Sequence, residues 1–299
     1  MSGDLGQAPI EAAKPADDDL QLWSWTTLIG VLEKKGLQFW QGEKAAVAAI
    51  HQQATWRGML EDEGDRCDHS SADTCDTVKW LRDAAFRKTP GERSDAELGT
   101  AVHAWLEEYV LTGSRPDADD EMRPMCEALD RWLQQWQPEW EASEVVVYHP
   151  TLGYAGQLDG IFQVGGQRLM YDLKTTRKHA DGRGRRKTPY AEVALQLAGY
   201  RHAEFAAAWR PRRYERYRRR YYLLSDEERG MAVPVPEVDG GVCLHVTPQD
   251  AQLYPVRCDD EVWRAARFVI GAAKWHLEQS KDAIGDPLVA PAPAEREAS

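Results

Sequence analysis

The stretch GYAGQLDGIFQVGGQRLMYDLKTT, residues 153–176, predicts two extended segments joined by a tight turn at its central Gly-Gly pair. Two glycines between apolar-rich runs are typical of a β-hairpin. Asp172 and Lys174 stand two apart, so their side chains project from the same face of the second strand. The turn folds Asp159, on the first strand, back towards that pair. Two carboxylates and an ammonium group in this arrangement suit a hard divalent cation and an activated water molecule.

Each of these residues also has an ordinary interpretation when it is taken alone. An Asp beside a glycine, as at Asp159, is usually part of a turn. Asp172 and Lys174 could form an ion pair on the surface, and the local pattern does not decide between that pair and a cation site. Asp172 nevertheless follows the apolar residues 169–171, where an unpaired carboxylate is costly and requires a cation or a donor.

The rest of the chain predicts helices and strands in the proportions of an α/β protein. The predicted helices cover residues 23–56 with a break near Gly36, 77–88, 94–111, 119–142, 189–208 and 259–280, and the predicted strands cover residues 144–149, 154–164, 167–174, 220–224 and 241–246. The first three strands form a meander. Trp132, Trp136 and Trp140 stand four apart within one predicted helix, a spacing that indicates packing. Residues 1–22 and 282–299 are predicted to be disordered tails.

The charge of the chain is strongly uneven. Its 37 Lys and Arg against 49 Asp and Glu give a net charge of −12, which argues against a general polyanion binder. Residues 177–187, RKHADGRGRRK, nevertheless carry six Lys or Arg against one Asp, and residues 209–220, WRPRRYERYRRR, carry seven Arg against one Glu. Such segregation can build a positive groove on an acidic body. The alternative for each stretch is a solvated charged loop.

Length and cysteine content set further limits. With 299 residues, one large domain or a domain with a smaller lobe is expected. No apolar run reaches the roughly 18 residues of a transmembrane helix and no signal peptide is visible, so we expect a cytoplasmic protein without a membrane partner. The five cysteines are odd in number and widely spaced, which indicates reduced thiols. Cys67 and Cys75, with His69 nearby, do not form a CxxC knuckle, so ordinary cysteines are favoured over structural zinc.

A polar pair follows the predicted strands. Gln196 and Tyr200 stand four apart in the helix predicted over 189–208 and are therefore neighbours on one face. An amide and a phenol placed together could contact substrate or a metal-bound water. Taken alone, the pair is better explained as a partly exposed polar contact.

Four motifs then occur in a specific order. They are GTAVHAWLE from Gly99, GQLDG from Gly156, YDLKTT from Tyr171 and QLAGY from Gln196. In this order they resemble the motifs of RecB-type nucleases of the PD-(D/E)xK superfamily, and more narrowly the CRISPR-associated and bacteriophage RecB-like exonucleases. The opening SWTTLIGVLEKKGLQFWQGEKAA is similar to the N-terminal stretch of phage-borne members, so the resemblance covers residues 23–280.

The resemblance implies a fold and a division of the chain. The expected fold is α/β, with a restriction-endonuclease-like PD-(D/E)xK core whose central mixed β-sheet is flanked by helices. That core would occupy residues 143–281. A helical region over residues 23–142 would precede it and carry the histidine of the first motif.

By position, the resemblance also implies roles for individual residues. His103 corresponds to a metal-binding histidine, Asp159 and Asp172 to the two metal-binding acids, and Lys174 to the catalytic lysine. The carbonyl of Leu173 is expected to complete the metal shell. Gln196 and Tyr200 fit a QxxxY motif that contributes to the active site. The residues expected to contact DNA are Thr175, Thr176, Arg177, Lys178, Arg183, Arg185, Arg186, Lys187, Arg218, Arg219 and Arg220.

The implied activity is metal-dependent hydrolysis of DNA by an exonuclease, with one or two Mg²⁺ or Mn²⁺ ions. The alternatives are an endonuclease or nickase that acts with a helicase or recombinase, and a non-catalytic DNA-binding or assembly protein. Many CRISPR-associated relatives hold an iron–sulfur cluster on one cysteine before the nuclease core and three clustered after it. Here Cys243 and Cys258 alone follow Lys174, so no iron–sulfur cluster is expected. Expected partners are linear DNA ends, a recombinase, single-strand-binding protein or helicase, and further copies of the chain.

Overall fold

The computed structural model describes residues 20–32, 35–64, 69–86, 93–207, 212–216 and 219–285. Within them, ten strands form one mixed sheet. The strands are β1 (Leu20–Ser24), β2 (Glu139–His149), β3 (Tyr154–Val164), β4 (Gln167–Thr175), β5 (Phe205–Ala206), β6 (Arg212–Arg216), β7 (Arg219–Leu224), β8 (Val233–Pro234), β9 (Gly240–Val246) and β10 (Ala251–Val256). The main path runs β10-β9-β4-β3-β1-β7-β6, and β2 also pairs with β3 and leads to β5 and β8.

Helices cover both faces of this sheet. They are α1 (Trp25–Ile29), α2 (Lys35–His51), α3 (Gln53–Glu63), α4 (Asp76–Arg82), α5 (Asp95–Thr112), α6 (Arg123–Trp136), α7 (Glu192–Arg201), α8 (Asp226–Gly230) and α9 (Asp260–Lys274). Helices α5 and α6 pack on one face, against Phe162 and Leu244 among others. Helices α1, α7 and α9 pack on the other, against Ile161 and Met170. The predicted α/β class, a central mixed sheet flanked by helices, is confirmed.

The predicted hairpin is present. Strands β3 and β4 pair antiparallel, with Val164 opposite Gln167. Gly165 and Gly166 have φ of +58° and +77°. Two positive φ values in succession are what a two-residue hairpin turn of this hand requires, and glycine adopts them without steric cost. The meander β2-β3-β4 follows from this turn and the antiparallel pairing of β2 with β3.

Strand β3 has two partners along one edge, and they leave a gap. Strand β2 pairs with β3 over nearly its whole length on the other edge. On the shared edge, β4 pairs with residues 160–164 and β1 pairs in parallel with residues 154–155. No strand of the described residues pairs with residues 156–159 on that edge. The sheet is therefore open between β1 and β4.

Some predicted boundaries were wrong. The helix predicted over 119–142 ends at Trp136, because Gln137 adopts a left-handed φ of +47° before Pro138, and strand β2 begins at Glu139. Trp140 therefore packs from a strand, edge-on to Phe162. The helix predicted over 189–208 is confined to α7.

Five strands were not predicted: β1, β6, β10 and the two-residue strands β5 and β8. Strand β1 lies partly within the supposed disordered tail of residues 1–22, and residues 1–19 lie outside the described residues. Strand β6 has no apolar alternation. Strand β10 contains Pro255, which suits its position at the end of the main path. Residues 286–299 also lie outside the described part of the chain. Among described helices, none is long and apolar enough to cross a membrane.

Candidate active site in the gap of the sheet

A cavity of about 550 Å³ lies where the sheet is open between β1 and β4. Residues from α5, β2, β3, β4 and α7 line it, so both helical layers reach it. All side chains predicted to bind metal or to act in catalysis are among its lining residues: His103, Asp159, Asp172, Leu173, Lys174, Gln196 and Tyr200. Residues far apart in the sequence thus meet in one place.

Asp159 occupies the point where β3 and β4 separate. Its Oδ2 accepts a hydrogen bond of 2.5 Å from the backbone N–H of Leu173. The pairing of β3 with β4 ends one residue short of Asp159, at Gly160, so a side chain and not a strand backbone is the partner of this N–H. The following residue must be glycine, because a Cβ on Gly160 would lie 2.4 Å from the carbonyl oxygen of Ala142. The local backbone therefore fixes the carboxylate beside β4.

A chain of polar contacts runs from Asp172 into α7. Lys174 Nζ lies 2.6 Å from Asp172 Oδ2 and donates a hydrogen bond of 3.3 Å to Gln196 Oε1. Gln196 Nε2 donates in turn to Tyr200 Oη at 3.1 Å. Asp172 is 1% exposed, so the ion pair that the sequence left open does form, but its carboxylate is buried. The ring of Tyr200 packs on bare backbone at Gly156, where a Cβ would lie 2.4 Å from the ring.

His103 reaches the cavity from α5. This helix begins with a capping box, in which Ser94 Oγ accepts from the backbone N–H of Glu97 and the Glu97 carboxylate accepts from the N–H of Ser94. One face of the helix is buried, and His103 lies beside it. His103 Nδ1 is 3.5 Å from Asp159 Oδ1. The buried residues of that face are Leu98, Val102, Trp105 and Leu106.

Glu144 completes the cluster, and the sequence did not predict it. The register of β2 against β3 places Glu144 across from Asp159. Two carboxylates directly opposite each other on neighbouring strands repel. The φ of Glu144 is +54°, in the left-handed region where residues other than glycine are uncommon. One ligand atom from each of His103, Glu144 and Asp159 lies within 4.8 Å of the others, a spacing that one divalent cation can span.

Burial and charge shift the pKa values of these groups in different directions. Burial raises the pKa of Asp172 to about 6, although Lys174 opposes the shift. Burial and the Asp159 carboxylate raise the pKa of Glu144 to about 7. Burial alone would raise the pKa of Asp159, but His103, Lys174 and a backbone N–H hold it below its usual value. Burial alone would lower the pKa of His103, but the Asp159 carboxylate outweighs burial and the pKa of His103 lies above its usual value. A bound cation would displace protons from Glu144 and His103.

The first basic stretch, residues 177–187, forms a short hairpin with an isolated β-bridge between Ala180 and Arg186. Lys187 donates its backbone N–H to the carbonyl of His179 at 2.9 Å, and Asp181 donates to the carbonyl of Arg185 at 2.7 Å. Gly184, with φ of +75°, makes the turn between them. The stretch follows β4 directly and so begins at the cavity.

The predicted DNA-contacting residues divide into paired and unpaired groups. Arg177 bonds Asp95 at 2.7 Å and Glu121 at 2.8 Å. Lys178 and Arg183 are exposed, and no carboxylate among the described residues pairs with their side chains. The other residues of this segment have varied surroundings: Thr175 lines the cavity, Thr176 bonds His245, Arg185 pairs with Asp181, Arg186 pairs with Asp250, and Lys187 is half-buried.

The described residues of the second basic stretch, 212–216 and 219–220, lie in strands β6 and β7 at the far end of the sheet. Arg219 and Arg220 begin β7, which pairs with β6 at the end of the main path. Arg218 lies outside the described residues. The contact of Arg218, Arg219 and Arg220 with DNA stays a prediction.

Comparisons with known proteins add little. No family model and no curated protein matches the chain. Among solved structures, the chain is similar to the crystal structure of SSO0001, with 15% sequence identity and a TM-score of 0.27. The match covers 65% of this chain and 65% of that one. A likeness of this size carries no weight for fold or function, so a function for this chain has to be inferred from the geometry of the cavity.

Proposed function

We propose that this chain is a metal-dependent nuclease with a PD-(D/E)xK, restriction-endonuclease-like core, and that it hydrolyses phosphodiester bonds in DNA. The observation that carries this proposal is the meeting of Asp159, Asp172, Lys174 and His103 in one cavity at an opening of an α/β sheet. Paired acids, a lysine and a histidine in that arrangement match the chemical needs of phosphodiester cleavage better than any other reaction that these groups support.

The donors in the cavity fit a hard divalent cation. Carboxylate oxygens of Asp159 and Glu144 suit Mg²⁺ or Mn²⁺, and the imidazole of His103 shifts the preference towards Mn²⁺. Asp172 and the carbonyl of Leu173 are proposed to join them as ligands. A cation held there would supply positive charge for the phosphodiester and lower the pKa of a bound water.

Lys174 has a separate role in this proposal. Burial would lower its pKa, but the carboxylates of Asp172 and Asp159 raise it, so the ammonium stays charged. Held between Asp172 and Gln196, it can orient the attacking water or stabilise negative charge that develops on the phosphate. Burial raises the pKa of Tyr200 well above its usual value, so the phenol stays neutral and holds Gln196 in place.

Within this class we propose an exonuclease, on the resemblance of the motifs. The test incubates linear and covalently closed circular DNA with Mg²⁺ or Mn²⁺, for the wild type and for Lys174→Ala. We expect digestion of linear DNA alone, and its loss in the variant. Cutting of the closed circle would indicate an endonuclease or nickase instead. Absence of metal-dependent cleavage on DNA and RNA alike would favour a non-catalytic DNA-binding or assembly protein.

The first basic stretch allows a matched test of DNA contact. Arg183→Ala is expected to weaken DNA binding and to reduce the slope of log K against log salt by about 0.9, the value for one released counterion. Arg177→Ala should leave that slope unchanged, because Asp95 and Glu121 already neutralise its guanidinium. Fluorescence anisotropy titrations across a range of salt concentrations measure both. An equal loss of slope in both variants would show that the Arg177 ion pairs open on DNA.

A further inference from the structure

Helices α2, α3 and α4 pack together, and few of the side chains that the structure describes in them are buried. Among their described residues and the caps between them, the buried side chains are Ala48, Cys75 and Thr77. Helix α3 buries none of its residues. Phe39 and Ile50 of α2 are 80% and 63% exposed.

Three potential metal ligands meet between α3 and α4. Glu63 is the last residue of α3, Cys75 is the residue before α4, and His69 lies in the segment between them. Cys75 Sγ lies 3.3 Å from His69 Nδ1 and 3.2 Å from Glu63 Oε2. His69 Nδ1 and Glu63 Oε2 are 3.7 Å apart.

These separations are close to those on one face of a zinc tetrahedron, and the two that involve sulfur would lengthen by a few tenths of an ångström on binding. Zinc binds sulfur at about 2.3 Å and nitrogen or oxygen at about 2.0–2.2 Å, so tetrahedral ligand atoms lie about 3.4–3.6 Å apart. The three observed distances span 3.2 to 3.7 Å. Thiolate, imidazole and carboxylate are also the three kinds of side chain that zinc accepts.

The surrounding backbone holds the three donors in place. The N–H of Thr77 donates to Glu63 Oε1 at 2.8 Å, which leaves Oε2 directed at the other two side chains. The N–H of Val78 donates to Cys75 Sγ at 3.3 Å, and such contacts orient ligating groups in metal sites. His69 has a φ of +54°, a conformation that is rare for residues other than glycine and that occurs at ligand clamps.

We propose that Glu63, His69 and Cys75 bind one zinc ion that joins α3 to α4. Binding would displace the thiol proton of Cys75 and take up the neutral form of His69. The spacing of the cysteines argued against zinc because it offered no CxxC pair. The structure instead brings Cys75 together with a carboxylate and an imidazole, a combination without a fixed sequence spacing.

The competing explanation is a set of hydrogen bonds without metal, in which the Cys75 thiol donates to Glu63 and His69 donates to the sulfur. Cobalt(II) distinguishes the two, since a thiolate bound to cobalt gives a sulfur-to-metal charge-transfer absorption in the near ultraviolet. The titration uses full-length chain, stripped with a chelator, in an Asp159→Asn background that weakens the cavity in the sheet as a competing site. We expect one equivalent of Co²⁺ to produce the band, and one equivalent of Zn²⁺ to abolish it.

Variants complete the test. Cys75→Ser should lose the band, and His69→Ala should weaken zinc binding at least about tenfold. His276→Ala, which also replaces an exposed histidine, should bind zinc as the parent does. Chelation should lower the thermal midpoint of the parent and leave that of His69→Ala unchanged. If the stripped parent gives no charge-transfer band, or the band survives in Cys75→Ser, the proposal is overturned. These outcomes do not depend on nuclease activity.

Discussion

Lys174→Ala is expected to lower kcat for DNA cleavage by about 10²–10³-fold, the usual effect of removing one group that stabilises charge in a transition state. The variant should also shift the pH dependence of its residual activity upwards. Asp172 is buried, and Lys174 is the partner that holds its pKa down to about 6. Without the ammonium, the carboxylate ionises at higher pH. Single-turnover cleavage measured over a range of pH reports both effects.

Lys178→Ala is the matched control for this experiment. Lys178 is exposed and lies on the same chain segment, four residues beyond Lys174, so its loss removes the same charge from the same end of β4. At saturating DNA its kcat should stay near that of the wild type, because Lys178 is predicted to contact DNA and a lower affinity is not measured under that condition. An equal fall in both variants would indicate a general loss of positive charge, and an unchanged rate in Lys174→Ala would remove Lys174 from the mechanism.

The central hairpin could be predicted because short-range rules govern it. Paired glycines specify the turn, and the two-residue period of a strand places Asp172 and Lys174 on one face. The contact from Gln196 to Tyr200 follows from helical spacing in the same way. The interaction that joins these two local patterns, from Lys174 to Gln196, is a matter of helix placement that neither pattern contains.

The opening of the sheet could not be predicted, because it depends on strand β1. This strand pairs with the start of β3 through Trp23 and Tyr154, residues that are far apart in the sequence and carry no shared signal. Glu144 was missed for a related reason. A glutamate at the start of an apolar strand looks solvent-exposed until the register places it across from Asp159.

Charge runs were similarly incomplete as predictors of DNA contact. Residues 177–187 contain six cations, but their sequence does not show which of them meet a carboxylate in the fold. Arg177 is tied to Asp95 and Glu121, which come from the start of α5 and from the segment before α6. Such pairing changes which arginines can exchange counterions with DNA.

Glu144→Gln is expected to be more stable than the wild type above pH 7 in the absence of divalent cations. The pKa of Glu144 rises from an ordinary value of 4.5 to about 7 on folding, because the side chain is partly buried and faces Asp159. The expected gain is about 2 kcal/mol, after allowance for the part of the side chain that solvent reaches. Glutamine keeps the shape of the side chain and its contact with Gln157.

The sign of this effect follows from proton binding. Between pH 4.5 and about 7, the folded protein holds a proton on Glu144 that the unfolded chain has released. The contribution of Glu144 to stability is therefore complete below pH 4.5 and is lost as the pH rises to about 7. The glutamine variant does not titrate there. The wild type and Glu144→Gln should have equal free energies of unfolding at low pH, and the wild type should become the less stable of the two as the pH rises from 4.5 to about 7.

Divalent cations should narrow that difference in stability at pH 8. A cation at 100 times its dissociation constant stabilises a folded protein by about 2.7 kcal/mol, and Glu144→Gln should gain less because it has lost a ligand. Urea unfolding at pH 5 and pH 8, with and without Mn²⁺, measures the free energy of unfolding of the wild type and of Glu144→Gln. Glu139→Gln is the control, because Glu139 is exposed on the same strand. Equal stabilisation of both proteins by Mn²⁺ would exclude Glu144 as a ligand. Equal stability at pH 8 without the cation would mean that neither burial nor Asp159 raises the pKa of Glu144.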